Sequence, residues 1–262
     1  MSLFGPLDPN QVLAKEGEGV KVGIIDTGLD LAHPDLAATL EQVKSRTCFL
    51  GGAPRPDPDA TDPANHGTPV TWLIHQLAPR AELHHLRALA RDRRGSARGL
   101  AAALAYALEQ NFQVINLSLG LERFEPAWKA RFVDLVDRAY YAGTILVASA
   151  SNRSDWILPG SLSALISVDM DFFADPLAVR PRGRELLLYG PKPHIWLDAR
   201  GTMVKAPKAG SREQVFYTGT SYAAPHVTGI VARLLSTHPE LEPFEVKTVL
   251  HHLRQVASEA AG

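Results

Sequence analysis

The stretch Gly219-Thr-Ser-Tyr-Ala-Ala-Pro-His-Val-Thr-Gly229 decides how this chain can fold. A helix that opens at Ser221 leaves its first backbone N–H groups without intrahelical partners, and the helix dipole is positive at that end. A hydroxyl there faces a place that favours negative charge. Pro225 is compatible with this start, because it lies at the edge of the first turn, where a missing N–H costs least. Ala223 and Ala224 are small, which suits a helix packed closely against its neighbours.

The composition is that of an ordinary globular protein. The chain has 262 residues, 45% of them hydrophobic and 21% charged, which is enough to bury a sizeable core. We predict a single domain over residues 1–262, with residues 1–18 as an N-terminal lead that holds no recognisable propeptide. The 27 Lys and Arg residues against 28 Asp and Glu leave a net charge of −1. This balance argues against nucleic acid or an anionic membrane as a partner.

Cysteine content and hydropathy bear on the compartment. Cys48 is the only cysteine, so no intrachain disulfide can form and the fold does not depend on an oxidising compartment. No apolar run is long enough to span a membrane, and residues 1–11 lack the basic start and apolar core of a signal peptide. We therefore expect a cytoplasmic protein, although a removed leader would leave no trace and secretion stays open.

Short apolar runs alternate with longer segments of helical pattern along the chain. The alternation predicts right-handed crossovers and an α/β fold with a mostly parallel β-sheet covered by helices on both faces. The predicted strands are 20–25, 81–90, 114–119, 144–148, 164–168 and 195–197, and the predicted helices are 66–77, 96–110, 126–141, 221–236 and 243–256. Residues 39–55 have no clear assignment, and residues 51–64, rich in proline and aspartate, are typical of an exposed loop.

Polar residues follow three of the predicted strands. Asp26, Ser118 and Asn152 come at or just beyond strand ends, so all three face the same rim of a parallel sheet. His66 opens one predicted helix and Ser221 another. A serine hydroxyl becomes a good nucleophile when an imidazole accepts its proton, and a buried carboxylate holds that imidazole in the right tautomer. Any one of these residues alone would more often be a turn or cap residue.

Five motifs in one order carry a resemblance to a known family. The chain resembles the subtilisin-type serine proteases, the subtilase family, in residues 22–28 (VGIIDTG), 33–36 (HPDL), 66–68 (HGT), 114–120 (VINLSLG) and 219–229. The resemblance implies a subtilisin-like fold and a serine endopeptidase that hydrolyses peptide bonds through an acyl-enzyme. The order Asp, His, Ser is the one found in subtilisin.

The resemblance also implies roles for individual residues. Ser221 is the nucleophile, His66 the general base and then acid, and Asp26 the carboxylate that orients His66. Asn152 donates to the oxyanion together with the backbone N–H of Ser221. Residues 94–99 supply a second edge for the substrate backbone. The implied substrate-binding residues are Ser118, Leu119, Gly120, Ser149, Ala150, Ile157 and Gly219. Asn116 and His226 are assigned to structure.

The chain departs from the family pattern in several places. Pro69, Trp72 and Ser151 replace the family's usual residues beside His66 and Asn152. A loop that supplies calcium ligands in many family members is missing after the His66 helix, and Asp35 alone does not satisfy a cation that takes about six to eight oxygens. We therefore expect no cofactor and no calcium at that position. Adjacent histidines on a strand point to opposite faces, so the histidines His75, His84 and His85 do not predict a metal site.

Two alternatives to hydrolysis stay open. A peptide ligase or macrocyclase on the same scaffold would divert the acyl-enzyme to an amine, and a pseudoprotease would only bind peptides. The expected partners are a peptide or protein substrate, restricted and intracellular, and an inhibitory or regulatory protein. Ile157 lies near the floor of the first specificity pocket, where the family often has glycine. It favours small or medium side chains at the residue before the cleaved bond (P1).

Overall fold

A computed structural model describes residues 7–92, 95–153, 156–182 and 196–259, with the backbone alone over 254–259. The strands are β1 Lys21–Asp26, β2 Val43–Cys48, β3 Arg55–Pro56, β4 Glu82–Arg87, β5 Val114–Leu117, β6 Ile145–Ser149, β7 Ile166–Asp171, β8 Val179–Pro181, β9 Leu197–Arg200, β10 Val204–Pro207 and β11 Gln214–Tyr217. The helices are α1 Pro9–Val12, α2 Ala37–Gln42, α3 Gly67–Leu77, α4 Ala97–Glu109, α5 Pro126–Tyr141, α6 Thr220–Thr237 and α7 Pro243–Glu259.

The described strands form one large sheet and one small ribbon. The sheet has nine strands in the order β3-β2-β4-β1-β5-β6-β7-β9-β8, and β10 pairs with β11 apart from it. The seven inner strands run parallel, whereas β3 and β8 are antiparallel at the two edges. The predicted α/β class with a mostly parallel sheet is confirmed. β1 lies near the middle, so its carboxyl end opens onto the centre of the rim.

Helices bury both faces of the sheet. Alternate residues of β5 divide between two cores: Val114 packs with the cluster that includes α6, and Ile115 and Leu117 pack with the cluster that includes α4 and α5. Because both faces are covered, the central strands read as continuous apolar runs rather than as an alternating pattern. This arrangement is why they were recognisable in the sequence.

Helix α6 is buried along most of its length. It begins at Thr220 with Gly219 as its N-cap, so Ser221 lies inside the first turn and the prediction that the helix opens at Ser221 was wrong by one residue. Small residues do let it approach its neighbour: a Cβ added to Gly229 would come 2.5 Å from the Cβ of Leu77 on α3. Helices α3 and α6 therefore pack in direct contact.

Some elements were not predicted. Strand β2 is only partly buried and reads Val-Lys-Ser-Arg-Thr-Cys, and the ribbon strand β11 has an exposed residue in the middle. Strand β2 lacks the apolar run of the central strands β1, β5 and β6, and the run in β11 is limited to Val215, Phe216 and Tyr217. The predicted strand 195–197 is partly outside the described residues, since Ile195 is not among them, and β9 begins at Leu197. In the part of the chain that is described, no helix is both long and apolar enough for a membrane crossing.

His226 makes the stability of α6 depend on pH. Its Nδ1–H donates to the carbonyl oxygen of Tyr222 at 2.7 Å, and burial lowers the pKa of His226 to about 4, against the opposing effect of that hydrogen bond. The unfolded chain, with an ordinary histidine pKa near 6.5, binds more protons between these two values. The contribution of neutral, buried His226 to the free energy of unfolding is therefore complete above about pH 6.5 and is lost as the pH falls towards about 4.

We predict that the melting temperature (Tm), measured by calorimetry, falls more steeply between pH 7 and pH 4.5 in the wild type than in His226→Gln. Glutamine does not titrate, so the variant loses about one proton of the uptake that accompanies unfolding in this pH range. His238→Gln, at the exposed end of the same helix, is the control and should keep the wild-type slope. Equal slopes in the wild type and His226→Gln would contradict this assignment.

Candidate active site

Asp26 and His66 meet at the carboxyl end of β1. The Nδ1–H of His66 donates to Oδ1 of Asp26 at 2.7 Å, and the two residues are only 5% and 0% exposed. The backbone N–H of Thr27 donates to the same oxygen at 2.7 Å. Oδ2 of Asp26 is buried without a hydrogen-bond partner in the described structure. Because the carboxylate accepts the proton of Nδ1–H in this hydrogen bond, neutral His66 carries its proton on Nδ1, and Nε2 can accept one.

Asp62 fixes the start of the helix that carries His66. Its Oδ2 accepts from the backbone N–H groups of His66 and Thr68, each at 2.9 Å, and its Oδ1 accepts from the hydroxyl of Thr27 at 2.8 Å. Thr27 in turn accepts from the N–H of Gly67 at 2.9 Å. A buried carboxylate thus satisfies the unpaired donors of the first turn of α3. The one sequence signal for this role is an aspartate shortly before a helix start.

Ser221 lies in the first turn of α6 and exchanges hydrogen bonds with Ser118. The hydroxyl of Ser221 donates to the Ser118 carbonyl oxygen at 3.1 Å, and the hydroxyl of Ser118 donates to the Ser221 carbonyl oxygen at 2.9 Å. The next residue, Tyr222, has its ring 5.8 Å from the imidazole of His66, centroid to centroid. The structure therefore brings the N-terminal ends of α3 and α6 to one place.

Asn152 reaches the same helix end from the loop after β6. Its Oδ1 accepts from the backbone N–H of Thr220 at 3.0 Å, and the hydroxyl of Thr220 donates to the Ala150 carbonyl oxygen at 2.8 Å. Because Thr220 occupies the oxygen of the amide, the Nδ2 group remains for a ligand. The serine that replaces the family's glycine holds this loop: the Ser151 hydroxyl accepts from the N–H of Arg153 at 3.1 Å.

Most of the predicted substrate-binding residues are buried, whereas Gly120 is exposed. Leu119, Ser149, Ala150, Ile157 and Gly219 are buried. Leu121 and Leu158 form an antiparallel bridge that links the segment after Ser118 to the segment after Ile157.

Ile157 fills the space between these two segments. A Cβ added to Gly120 would come 2.7 Å from Cδ1 of Ile157, and one added to Gly160 would come 3.2 Å from the same atom. The isoleucine is therefore packed against both glycines.

The predicted second edge over residues 94–99 is corrected in part. Arg94 lies outside the described residues. Ser96 is the N-cap of α4, with its hydroxyl accepting from the N–H of Gly99 at 2.9 Å, so residues 97–99 form a helical turn and not an extended edge. The serine capping preference explains why this segment folds as a helix start.

Aromatic side chains that the sequence did not single out line the His66 side of the site. The rings of Tyr217 and Tyr222 are 4.7 Å apart. The hydroxyl of Tyr217 donates to Oδ1 of Asn65, the residue before His66, at 2.9 Å. Trp72, which stands where the family has glycine, packs partly buried with Tyr217 and Tyr222 in a small cluster that includes strand β10. The unusual tryptophan thus supports the ribbon behind the site.

The titratable groups near the site do not form a metal cluster in the described part of the chain. Asp35 instead accepts a hydrogen bond from Nε2 of Gln214 at 2.7 Å. Burial is the main cause that lowers the pKa of the histidines His75, His84 and His85, which favours neutral imidazoles there.

The loop before His66 is fixed by Arg87, whose hydrogen bond to Asp59 at 2.6 Å is the main reason that the pKa of Asp59 falls to about 2.

The fold and this site define an α/β protein with an Asp–His pair beside a serine at a helix start. The sequence model of the subtilase family matches residues 17–171 and 183–259, so the chain belongs to the subtilase family. A crystal structure of a cold-adapted subtilisin-like serine proteinase superposes with a TM-score of 0.70 at 23% identity, covering 95% of this chain and 87% of that one. That similarity supports the subtilisin-like fold.

Curated relatives are similar over most of this chain. The chain is 30% identical to the thermostable alkaline protease of Halalkalibacterium halodurans over 85% of its length and 58% of that protein's. It is 31% identical to the thermophilic serine proteinase of Bacillus sp. strain AK1, over 86% and 54%. It is 27% identical to subtilisin DY of Bacillus licheniformis, over 93% and 86%. The chain thus spans a little over half the length of the first two relatives.

Proposed function

We propose that this chain is a serine endopeptidase in which Asp26, His66 and Ser221 act together. The observation that carries the proposal is the buried 2.7 Å hydrogen bond from His66 to Asp26, formed where α3 begins beside the first turn of α6. A carboxylate held at Nδ1 stabilises the imidazolium that forms when Nε2 accepts a proton. The names of the relatives, all proteases, support the same activity.

The proposed reaction uses these groups in turn. The hydroxyl of Ser221, which donates to the Ser118 carbonyl oxygen in this structure, turns towards His66 and attacks the peptide carbonyl as His66 takes its proton. The backbone N–H of Ser221 and Nδ2 of Asn152 stabilise the oxyanion. His66 then protonates the leaving amine, and water repeats the sequence on the acyl-enzyme. Residues 118–120 bind the substrate backbone as an added strand.

A fluorophosphonate probe tests the nucleophile, because it reacts with an activated serine. We expect stoichiometric labelling of Ser221 and cleavage of a peptide mixture, with both lost in Ser221→Ala. If Ser221 is labelled and the peptides are converted to cyclic products instead of being cleaved, the ligase alternative is favoured. Failure to label Ser221 in the folded wild type would contradict the proposal and favour a peptide-binding pseudoprotease.

The oxyanion role of Asn152 gives a more specific prediction. Asn152→Ala should lower kcat by about 10²- to 10³-fold with little change in KM, the loss known for removing the corresponding donor of subtilisin. Arg153→Ala, the neighbouring exposed residue, is the matched control and should keep wild-type kcat. Steady-state kinetics with one peptide substrate measures both, and equal kcat in the two variants would remove Asn152 from the mechanism.

Ile157 is proposed to narrow the P1 preference, because its side chain packs against Gly120, which belongs to the segment proposed to wall the first pocket. We expect a higher kcat/KM for substrates with Ala at P1 than for those with Phe. In Ile157→Gly the ratio of kcat/KM for Phe to that for Ala should rise by about tenfold or more, because the pocket gains the space of roughly one to three methylene groups. Leu158→Ala, which removes volume from the neighbouring core residue, is the control for general loosening. Efficient wild-type cleavage after Phe would contradict this preference.

The calcium proposal concerns the position after α3. Asp35, the carboxylate that the family resemblance offers for this site, accepts a hydrogen bond from Gln214, and among the described residues it belongs to no group of three or more His, Cys, Asp or Glu that could hold a metal ion. We propose that this position holds no calcium, so a chelator should leave the Tm within about 2 °C. A fall of many degrees that added calcium reverses would contradict the proposal. A restricted cytoplasmic substrate and an inhibitory partner remain predictions from the sequence.

A further inference from the structure

Pro225 removes the helical hydrogen-bond donor for the carbonyl group of Ser221, the proposed nucleophile. In an α-helix the N–H of residue i+4 donates to the carbonyl oxygen of residue i, but proline has no N–H. The carbonyl of Ser221 therefore lacks its partner in α6. The hydroxyl of Ser118 takes the place of that donor, at 2.9 Å. The carbonyl group of Ser221 is thus hydrogen-bonded to Ser118, just after β5, instead of to a backbone N–H of its own helix.

Two further buried residues determine which way the Ser118 hydroxyl points. Nδ2 of Asn116 donates to the hydroxyl oxygen of Ser118 at 3.0 Å, and the hydroxyl of Thr228 donates to Oδ1 of Asn116 at 2.9 Å. Asn116 and Thr228 are 0% exposed, and Ser118 is 2% exposed. Because Ser118 accepts from Asn116, its single proton is directed to the carbonyl of Ser221.

The hydrogen bonds form a closed path between one strand and one helix. Ser221 and Thr228 lie about two turns apart on α6, and Asn116 lies on β5, which packs against α6. The amide of Asn116 suits this path because it donates from one atom and accepts at another in a fixed plane. Removing one link leaves a buried polar group without its partner.

We propose that Asn116 and Thr228 are positioning residues that hold Ser221 in place through Ser118. The inference rests on the proposed function, since it concerns the placement of the nucleophile. Neither side chain touches the substrate or the reacting atoms. Their effect reaches the reaction through the carbonyl of Ser221, so it should lower the rate of attack and leave substrate binding unchanged.

The pair Thr228→Val and Thr228→Ser tests this role. Valine keeps the shape and removes the donor, whereas serine keeps the hydroxyl. We expect Thr228→Val to lower kcat and the rate of fluorophosphonate labelling about tenfold, with KM within about twofold, because small displacements of a reacting group cost this order of rate. Thr228→Ser should restore most of both. Ser118→Ala, which removes the last donor of the path, should lower both rates at least as much.

Ser236→Ala is the matched control, because it removes a hydroxyl that donates to the Glu18 carbonyl oxygen, at 2.8 Å, from the far end of the same helix. It should lower the Tm about as much as Thr228→Val and keep wild-type kcat. Wild-type kcat in Thr228→Val or in Ser118→Ala would overturn the positioning role while leaving the protease proposal intact. A wild-type chain that neither cleaves nor labels would overturn the protease proposal, and the positioning role with it.

Discussion

The hydrogen bond between His66 and Asp26 is the constraint on which the rest of the site depends. It requires the end of a central strand and the start of α3 to meet with both side chains buried. A buried carboxylate is costly unless it is hydrogen-bonded, and Asp26 is held by His66 and by the N–H of Thr27. The position of β1 between β4 and β5 fixes one side of this contact, and Asp62 fixes the other.

The second constraint is the burial of α6. The helix lies against the sheet on the face that contains Val114 and against α3 at Gly229, so its first turn cannot shift without disturbing the core. Ser221 is then placed by the helix as a whole, and locally by the hydrogen bonds of its first turn to Ser118 and, through Thr220, to Asn152. Stability and the geometry of the site therefore come from the same contacts.

The sequence predicted the parts of the molecule that local pattern determines. The central strands β1, β5 and β6 and the long helices follow from apolar runs and helical periodicity, and the family motifs indicated Asp26, His66 and Ser221 as candidates. Their roles stay proposals, although the structure brings Asp26 into contact with His66. Local pattern does not fix helix boundaries to the residue: α6 starts one residue before Ser221, because Gly219 takes the cap position.

The remaining features depend on contacts between residues far apart in the chain. Asp62 acts on backbone donors of the following helix, and Asn116 gains its importance only when α6 lies against β5. Strand β2 is mostly polar, and the apolar runs of β10 and β11 are at most three residues long, so their local sequence separates them only weakly from loops. The place of Ile157 at the floor of the first pocket stays a prediction from the family resemblance, whereas its contact with Gly120 is seen in the structure.

Trapping the acyl-enzyme tests the central claim most directly. The chain is mixed with an activated ester substrate, quenched in acid within the first turnover and analysed by peptide mass spectrometry. We expect a burst of released alcohol equal to the amount of chain, with the acyl group on Ser221 and no burst when His66 is replaced by alanine. A time course without a burst, together with an unmodified Ser221 in the quenched chain, would contradict it.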